Sequence, residues 1–451
     1  MGALSAVIRL GRSMNVLLAG ILLFHAGWYL LLPFIAVLFT SRRGLTPAEA
    51  GLLLATQSFT LLAGSLLGGW LADRLGRRVT IVAGLLLRGG GLWALGLVGG
   101  LPALLAAMAT AGLGGGIYGP AAKAGIAAIA TEENRTVAFA ARGVAANIGV
   151  SLGPLLGAIL LGGPMGLLFG VAGVLHLGLA AVTWALFREE RGEVGEAKGD
   201  WWAVLSDRPY LAFSLVTVLA WALFAQLAIS VPLYAREVLG LESSIGLLWT
   251  ATSLTVILCQ LAVTRFSTRR LHPMSAMALG AALLGAGLGL VSLARSFPGL
   301  LLAVLVFIFG EMLLMPTADS AVSSFARKGA LGSYFGIATV AWGLGEGVGS
   351  LVGGGLMQYA LATRAVWVPW ALYAVAGLAV AGLFLVLGRA FRRTDTVAPA
   401  EAARIQLFRS GQPAPVEERA HLGPPPDRSE REGPGILLKQ EPGPGARQEE
   451  E

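Results

Sequence analysis

Twelve apolar runs of roughly 20 residues fill most of the sequence, and this feature limits the fold more than any other. A helix of that length crosses about 30 Å of hydrocarbon. The runs are rich in Leu, Ala, Gly and Val, without the apolar–polar alternation of a barrel strand. Because backbone groups in lipid must be satisfied within their own segment, each run is predicted to be a transmembrane helix. The predicted spans, numbered 1 to 12, lie near residues 14–39, 48–71, 79–99, 101–124, 140–162, 166–187, 210–235, 244–264, 274–294, 298–321, 332–357 and 367–388.

The composition excludes several other classes of protein. Hydrophobic residues make up 55% of the chain and charged residues only 13%, whereas soluble domains have about 25% charged residues. The single cysteine, Cys259, excludes a disulfide framework, and the histidines show no metal-ligand spacing. The sequence has no Gly-x-x-x-x-Gly-Lys-Ser/Thr phosphate loop, which excludes an ATP-driven pump within this chain. We therefore predict no metal and no cofactor.

Basic residues are distributed unevenly among the predicted loops. With the N-terminus inside, the inner segments hold 20 Lys and Arg residues and the outer segments hold 5. Positively charged loops stay on the cytoplasmic side, so both termini are predicted to be cytoplasmic in a multi-pass protein of the inner (plasma) membrane. The same loops explain the net charge of +7, so that charge does not indicate a nucleic-acid partner.

The sequence repeats itself at an offset of 196 residues. The matching positions are Gly44 and Gly240, Arg74 and Arg270, Pro120 and Pro316, and the segments 149–157 and 345–353. Two copies in one orientation predict two six-helix halves related by a pseudo-two-fold repeat, a transporter plan with its site at the midplane between the halves. The predicted divisions are an N-terminal half at 1–187, a cytoplasmic linker at 188–208, a C-terminal half at 209–393 and a proline-rich disordered cytoplasmic tail at 394–451.

The loop between spans 2 and 3 carries the most specific motif. Its residues are Gly69, Asp73, Arg74, Gly76, Arg77 and Arg78. Gly76 permits a positive φ, and Gly69 is expected to let helices approach closely. The loop resembles the conserved inner loop of the major facilitator superfamily at nearly every position, and the resemblance extends over about residues 10–390. It implies the twelve-helix fold of that family, a monomer, and a gating loop in which Asp73 reaches the positive N-terminal end of span 11 when the outer side is open.

Span 5 carries a second motif, made of Gly149, Gly153, Pro154 and Gly157. The glycines form a smooth stripe for a neighbouring helix, and Pro154 removes a backbone donor. This string resembles the motif of exporters in the same superfamily, the drug–proton antiporters. The resemblance implies a secondary-active transporter that exports small amphipathic compounds against protons by alternating access. Many such antiporters have an arginine in span 4, but here residues 107–112 carry no charge, so proton coupling must be carried elsewhere.

Acidic residues inside the spans are the candidates for that coupling. They are Glu311, Glu346 and Asp319. Glu311 lies about 20 Å into span 10 at 1.5 Å per residue. A carboxylate at that depth is costly and is a functional-site hypothesis by default. Arg88 in span 3 is expected instead to extend its side chain to the inner surface.

The resemblance places spans 1, 4, 7 and 10 around a central cavity. Its candidate lining residues are His25, Trp28, Tyr29, Tyr118, Trp221, Gln226 and Met312, an aromatic and flexible surface suited to varied apolar ligands. Two other functions stay open. One is an importer or symporter of a metabolite within the same superfamily. The other is a polytopic membrane enzyme acting on lipid, which the scattered histidines and lone cysteine disfavour.

Overall fold

Helices make up nearly all of the described chain in this computed structural model, which describes residues 11–130, 135–187, 204–326 and 331–410. Those residues contain no strand. The helices are α1 (Arg12–Tyr29), α2 (Ile35–Arg43), α3 (Pro47–Leu75), α4 (Arg77–Leu97), α5 (Leu101–Ile129), α6 (Arg135–Leu160), α7 (Met165–Leu186), α8 (Arg208–Phe224), α9 (Ser230–Glu237), α10 (Ile245–Arg270), α11 (Pro273–Val291), α12 (Phe297–Phe325), α13 (Leu331–Thr363) and α14 (Val368–Ser410). The predicted all-α membrane fold is confirmed.

Predicted spans 1 and 7 are each broken near their middle. Eleven segments of the described chain are long and apolar enough to cross a membrane, and one of them, Arg208–Glu237, joins α8 to α9 through a short 3-10 helix at Ala225–Leu227. The pair α1 and α2 supplies the remaining crossing, with its break before Ile35. Pro33 lies at the first break, and Pro232 lies in the first turn of α9, just after the second. Proline lacks the donor that a continuous helix needs.

The 196-residue repeat extends to the helix boundaries. Four pairs of helices begin at residues that differ by 196: Arg12 and Arg208, Arg77 and Pro273, Leu101 and Phe297, and Arg135 and Leu331. The turn after each broken span also repeats, because Gly44 has φ 68° and Gly240 has φ 67°. The amide of the next residue donates in both copies, from Leu45 to the Phe39 carbonyl and from Leu241 to the Ala235 carbonyl, at 3.1 and 2.8 Å. Below, the N-terminal half is α1–α7 and the C-terminal half is α8–α14 up to Phe391.

Local sequence explains where α3 begins and ends. At its start the Thr46 hydroxyl accepts a hydrogen bond from the Glu49 amide, and the Glu49 carboxylate accepts one from the Thr46 amide, at 3.2 and 2.7 Å. This reciprocal cap satisfies amides that a helix start leaves free. At the other end Gly76 has φ 87°, which permits the turn into α4. We call the side of the bundle that holds Gly76 the inner side and the side that holds Gly44 the outer side.

The outward faces of the bundle are apolar, as a membrane protein requires. Leu258 is 70% exposed, Leu215 66% and Val375 66%. In water such faces would promote association, whereas in a bilayer they contact lipid chains. The exposure therefore agrees with the transmembrane assignment.

Close backbone contact holds the N-terminal half together around α5. A Cβ placed on Gly116 would lie 2.0 Å from the Leu61 carbonyl oxygen and 2.7 Å from the Ser65 amide nitrogen, both on α3. Small residues at such positions let transmembrane helices approach far enough for dense van der Waals packing. The same helix has open space beside Gly119, where a Cβ would meet nothing within 4 Å.

We expect Gly116→Val to destabilise the protein by about 3 kcal/mol, because the obstructing atoms belong to backbone and cannot move aside. Gly119→Val is the matched control, since it adds the same β-branched side chain to the same helix in open space. Thermal unfolding of the detergent-purified proteins measures both. Equal midpoints for the two variants would contradict this packing argument.

The structure describes the start of the predicted tail but little of the predicted linker. The described residues up to Phe391 form one compact unit, and α14 continues beyond it as a second unit from Arg392 to Ser410. The start of the predicted tail is thus helical, because residues 400–408 are mostly good helix formers. The rest of that tail, 411–451, and most of the predicted linker, 188–203, lie outside the described residues.

Candidate transport site between the two halves

The two halves are in contact on the outer side. A Cβ on Gly51 of α3 would lie 2.4 Å from the Ser350 carbonyl oxygen of α13, so these helices pack backbone to backbone. A Cβ on Gly246 of α10 would lie 2.4 Å from the Ala158 Cβ of α6. Both contacts lie towards the outer ends of the helices, so the bundle is closed on that side.

Four polar side chains converge between the halves at the middle of the bundle. Glu311 lies midway along α12 and Glu346 midway along α13. The Tyr29 phenol, from α1 of the other half, is within electrostatic range of both carboxylates. The Ser58 hydroxyl of α3 donates to Glu346 Oε2 at 3.4 Å. Tyr29, Glu311 and Glu346 are each partly exposed, whereas Ser58 is buried. We call these four residues the central site.

The predicted cavity residues fall into two groups. His25, Trp28 and Tyr29 are partly exposed along α1. Tyr118, Trp221, Gln226 and Met312 are buried. The first group shares α1 with the Tyr29 of the central site, and the second group is packed inside the bundle.

Gln226 illustrates how a buried residue supports the site. Its Nε2 donates to the carbonyl oxygens of Ala222 and Gly349 at 2.8 and 2.9 Å, and its Oε1 accepts a hydrogen bond from the Ser230 hydroxyl at 2.6 Å. These bonds satisfy one backbone carbonyl beside the break between α8 and α9 and another on α13. They also tie that break to α13, the helix that carries Glu346.

Asp319 does not belong to the central site. It lies two turns beyond Glu311 towards the inner side and is exposed. Its carboxylate is within electrostatic range of Lys123 and Arg142, both from the N-terminal half. The three predicted acids therefore divide into a central pair and a separate inner group.

The gating loop is formed as predicted at Gly76, but Gly69 behaves differently. A Cβ on Gly69 would meet nothing within 4 Å, whereas one on Gly68 would lie 2.6 Å from the Ile117 carbonyl oxygen. The expected close approach at Gly69 is therefore wrong, because the helix rotation turns its neighbour towards α5. Asp73 is exposed. Since residues 327–330 before α13 lie outside the described residues, its latch role stays a prediction.

Two arginines of this loop are anchored on tryptophan rings. The Arg74 guanidinium lies 4.3 Å from the centre of the Trp70 ring, and that of Arg78 lies 4.4 Å from the centre of the Trp184 ring. Arg78 also donates to the Trp184 carbonyl oxygen. The first contact lies within α3, and the second joins the start of α4 to α7.

The glycine stripe of span 5 contacts a neighbouring helix as predicted. Cβ atoms on Gly149, Gly153 and Gly157 would lie 2.3, 2.7 and 2.2 Å from atoms of α1 or of the break that follows it. Pro154 lies within α6 beside this contact. The stripe thus positions α1, the helix that carries Tyr29.

A family model described as Major Facilitator Superfamily matches residues 17–350, which is most of the chain. The chain belongs to the major facilitator superfamily. The multidrug resistance protein MdtH of Aeromonas hydrophila subsp. hydrophila is 25% identical over 84% of this chain and 95% of its own length. A Na(+), Li(+), K(+)/H(+) antiporter of Planococcus maritimus is 28% identical over 74% of this chain and 87% of its own length.

The solved structure of another transporter has the same arrangement of helices. The POT family transporter PepTSo superposes with a TM-score of 0.71 at 17% identity, over 85% of this chain and 98% of that one. At that identity the likeness concerns the fold alone. The relatives together describe a multi-pass membrane transporter of a small-molecule or ionic substrate.

Span 4 of the present protein, which forms α5, contains no arginine. The guanidinium of Arg88, from span 3, lies against this helix. Arg88 is only 1% exposed. It donates to the Ala111 carbonyl oxygen at 3.1 Å, and a Cβ on Gly115 would lie 2.2 Å from its Nη1. Its guanidinium carbon lies 4.8 Å from the Phe24 ring centre and 4.6 Å from that of Trp28. The expectation that Arg88 extends to the inner surface is wrong, because the glycines of α5 leave space for it inside the half.

Sequence reasoning missed the cluster around Arg88. In the described chain, the Nε of Arg88, the hydroxyl of Tyr118 and the Nε2 of His176 are buried without a hydrogen-bond partner. His176 uses its Nδ1 on the Ala172 carbonyl oxygen at 2.7 Å. The available signal was a charged residue in span 3 opposite the run of glycines at residues 112–116. The cluster brings a positive charge to the rings of α1 that border the central site.

Proposed function

We propose that this protein is a secondary-active exporter of small amphipathic cations, which it exchanges for protons by alternating access. One observation carries the proposal. The carboxylates of Glu311 and Glu346, from one half, lie within electrostatic range of the Tyr29 phenol of the other half, and all three side chains are partly exposed at the middle of the bundle. A carboxylate in such a place gains and loses a proton as its surroundings change, which suits it to proton coupling.

The proposed cycle uses the central site for both substrates. With the inner side open, an ionised Glu311 binds the cationic group of the substrate, and the rings of Trp28 and Tyr29 pack against its apolar part. The halves then rock so that the outer side opens. A proton binds to Glu311 from outside and displaces the cation, and the return of the protonated site delivers that proton inside. The MdtH relatives support the substrate class by similarity.

The placement in the cell is part of the same proposal. The distribution of basic residues supports an inner (plasma) membrane location with both termini cytoplasmic. The repeat supports two functional halves divided near residues 188–208. We also propose that a monomer is sufficient for transport. The inner side defined above is then the cytoplasmic side, so the described conformation faces the cytoplasm.

Antiport of a monovalent metal cation is a second candidate. The Planococcus maritimus relative is named as such an antiporter. The central site offers two carboxylates, a phenol and a hydroxyl within a small region, and oxygen atoms are the ligands that hard cations bind. An importer or symporter would use the same residues with the opposite direction of net transport.

Reconstitution in proteoliposomes separates these functions. We expect a pH gradient of either direction to drive rhodamine 6G across the membrane in the direction opposite to the flow of protons. A protonophore should abolish that transport. A sodium or potassium gradient should move no protons. Cation-driven proton movement would instead support the second candidate, and movement of rhodamine 6G along with protons would overturn export in favour of symport.

A further inference from the structure

A proline interrupts the backbone hydrogen bonds of α12 close to Glu311. Pro316 lies inside the helix and has no amide hydrogen. In a continuous helix residue 316 would donate to the carbonyl oxygen of Met312, four residues earlier. Met312 directly follows Glu311 and is only 1% exposed. Because a buried carbonyl without a donor is costly, that of Met312 needs a donor from elsewhere.

Gln260 of α10 supplies that donor. Its Nε2 donates to the Met312 carbonyl oxygen at 3.1 Å and to the Thr264 hydroxyl at 3.0 Å, so both amide hydrogens are used. The bond to Met312 replaces the one that Pro316 cannot make. It also ties α10 to α12 at the residue that follows Glu311.

The N-terminal half has the corresponding proline, Pro120, but a glycine in place of the glutamine. At the repeat offset of 196, Gly64 is the counterpart of Gln260 and Gly116 is the counterpart of Met312. A Cβ on Gly64 would lie 3.1 Å from the Gly116 Cα. Close backbone packing therefore supports α5 beside its proline, whereas a side chain bridges α10 and α12.

The C-terminal half is packed loosely in this region. A cavity of about 430 Å³ opens between α10, α11 and α12, and its lining includes Val263, Phe266 and Leu313. Leu313 is the next residue after Met312. The cavity leaves these helices without the dense packing that supports α5, so the bond from Gln260 contributes more to the position of α12.

We propose that Gln260 is a positioning residue for Glu311. By replacing the donor that Pro316 lacks, it fixes the rotation of α12 at Met312 and so the direction in which the Glu311 carboxylate faces. The inference rests on the proposed role of Glu311 in transport. The bond and the orientation of the carboxylate can nevertheless be measured without any substrate.

A double-mutant cycle in thermal unfolding of the purified protein tests the bond. Gln260→Met removes the donor and keeps the length of the side chain, so we expect the unfolding midpoint to fall by about 2 °C, as for loss of one hydrogen bond. Pro316→Ala restores a backbone donor to the same carbonyl. In that background Gln260→Met should leave the midpoint unchanged, because the carbonyl keeps a partner. Additive losses would overturn the role of the bond.

Thr255→Val is the matched control on α10. The Thr255 hydroxyl donates within its own helix, to the Ala251 carbonyl oxygen at 2.8 Å. Its removal therefore costs one hydrogen bond that does not reach α12. We expect its effect on the midpoint to be the same with and without Pro316→Ala, and a dependence on that background would overturn the specific link between Gln260 and the proline.

The infrared carbonyl band of the protonated Glu311 side chain tests the orientation. At low pH this band is identified as the one that Glu311→Gln removes. We expect Gln260→Met to shift the band to a different frequency, because the carboxyl group meets different surroundings, and Thr255→Val to leave it in place. An unshifted band in Gln260→Met would show that the glutamine stabilises the helix without orienting the carboxylate, which would overturn the positioning role.

Transport separates this inference from the proposed function. Gln260→Met should slow pH-driven transport of rhodamine 6G by about fivefold, the size expected for one hydrogen bond, and Thr255→Val should retain the wild-type rate. Wild-type transport by Gln260→Met would overturn the positioning role. If the wild-type protein moves no rhodamine 6G while the unfolding cycle and the infrared band behave as expected, the proposed function fails and the positioning of Glu311 by Gln260 stands.

Discussion

Glu311→Gln should abolish pH-driven transport of rhodamine 6G in proteoliposomes. Glutamine keeps the size of the side chain but cannot ionise, so the central site loses the group proposed to carry the proton. We expect the initial rate under a pH gradient to fall at least about tenfold, which corresponds to a rise of roughly 1.4 kcal/mol in the activation free energy of transport. Exchange of labelled for unlabelled substrate without a gradient should fall as well, because an ionised Glu311 is also proposed to bind the cationic group of the substrate.

Glu346→Gln is the matched comparison for this prediction. Its carboxylate is the other member of the central pair and accepts a hydrogen bond from Ser58, which an amide oxygen can also accept. We therefore expect a smaller loss than at Glu311. Wild-type rates in Glu311→Gln would eliminate this residue as the proton carrier, and a complete loss in Glu346→Gln alone would assign that role to Glu346.

Gly354→Val should stop transport without unfolding the protein. A Cβ at this position of α13 would lie 2.5 Å from the Pro47 carbonyl oxygen and 3.0 Å from the Gly51 Cα of α3. The obstructing atoms belong to the other half, so the added side chain prevents closure of the outer side rather than packing within one half. We expect the equilibrium to shift towards the outward-facing state and transport to fall by more than about tenfold, as for overpacking of 2 to 3 kcal/mol.

Gly355→Val gives this prediction a close control. It adds the same residue to the next position of the same helix, where a Cβ would meet nothing within 4 Å. Both variants should unfold at similar temperatures, and only Gly354→Val should lose transport. Equal transport in the two proteins would show that α3 and α13 do not need to meet at this point. The contrast with Gly116→Val is informative, because there the same kind of clash lies inside one half and should lower stability instead.

Much of the fold follows from the sequence because its determinants are local. A run of about 20 apolar residues must become a helix in lipid wherever it lies in the chain. The offset of 196 located equivalent turns, since Gly44 and Gly240 adopt the same positive φ. Proline was a weaker guide, because Pro154 lies inside an uninterrupted helix whereas Pro33 lies at the break in span 1.

The candidate site was predictable only in part. Counting residues gives the depth of Glu311 and Glu346, because every residue advances a helix by about 1.5 Å. Counting does not give the direction that a side chain faces, which depends on the helices packed around it. This is why Gly69 was expected at a contact that Gly68 makes, and why Arg88 was expected at the surface.

The sequence by itself determined a membrane protein of twelve crossings, its internal duplication and the presence of acids deep in the spans. The tertiary structure alone decided which of those acids lie within electrostatic range of Tyr29, which stands apart with Lys123, and which side of the bundle is closed. The physical reason is that these features depend on contacts between residues hundreds of positions apart. No local pattern fixes the rotation of one helix against another, and that rotation decides which side chains share a site.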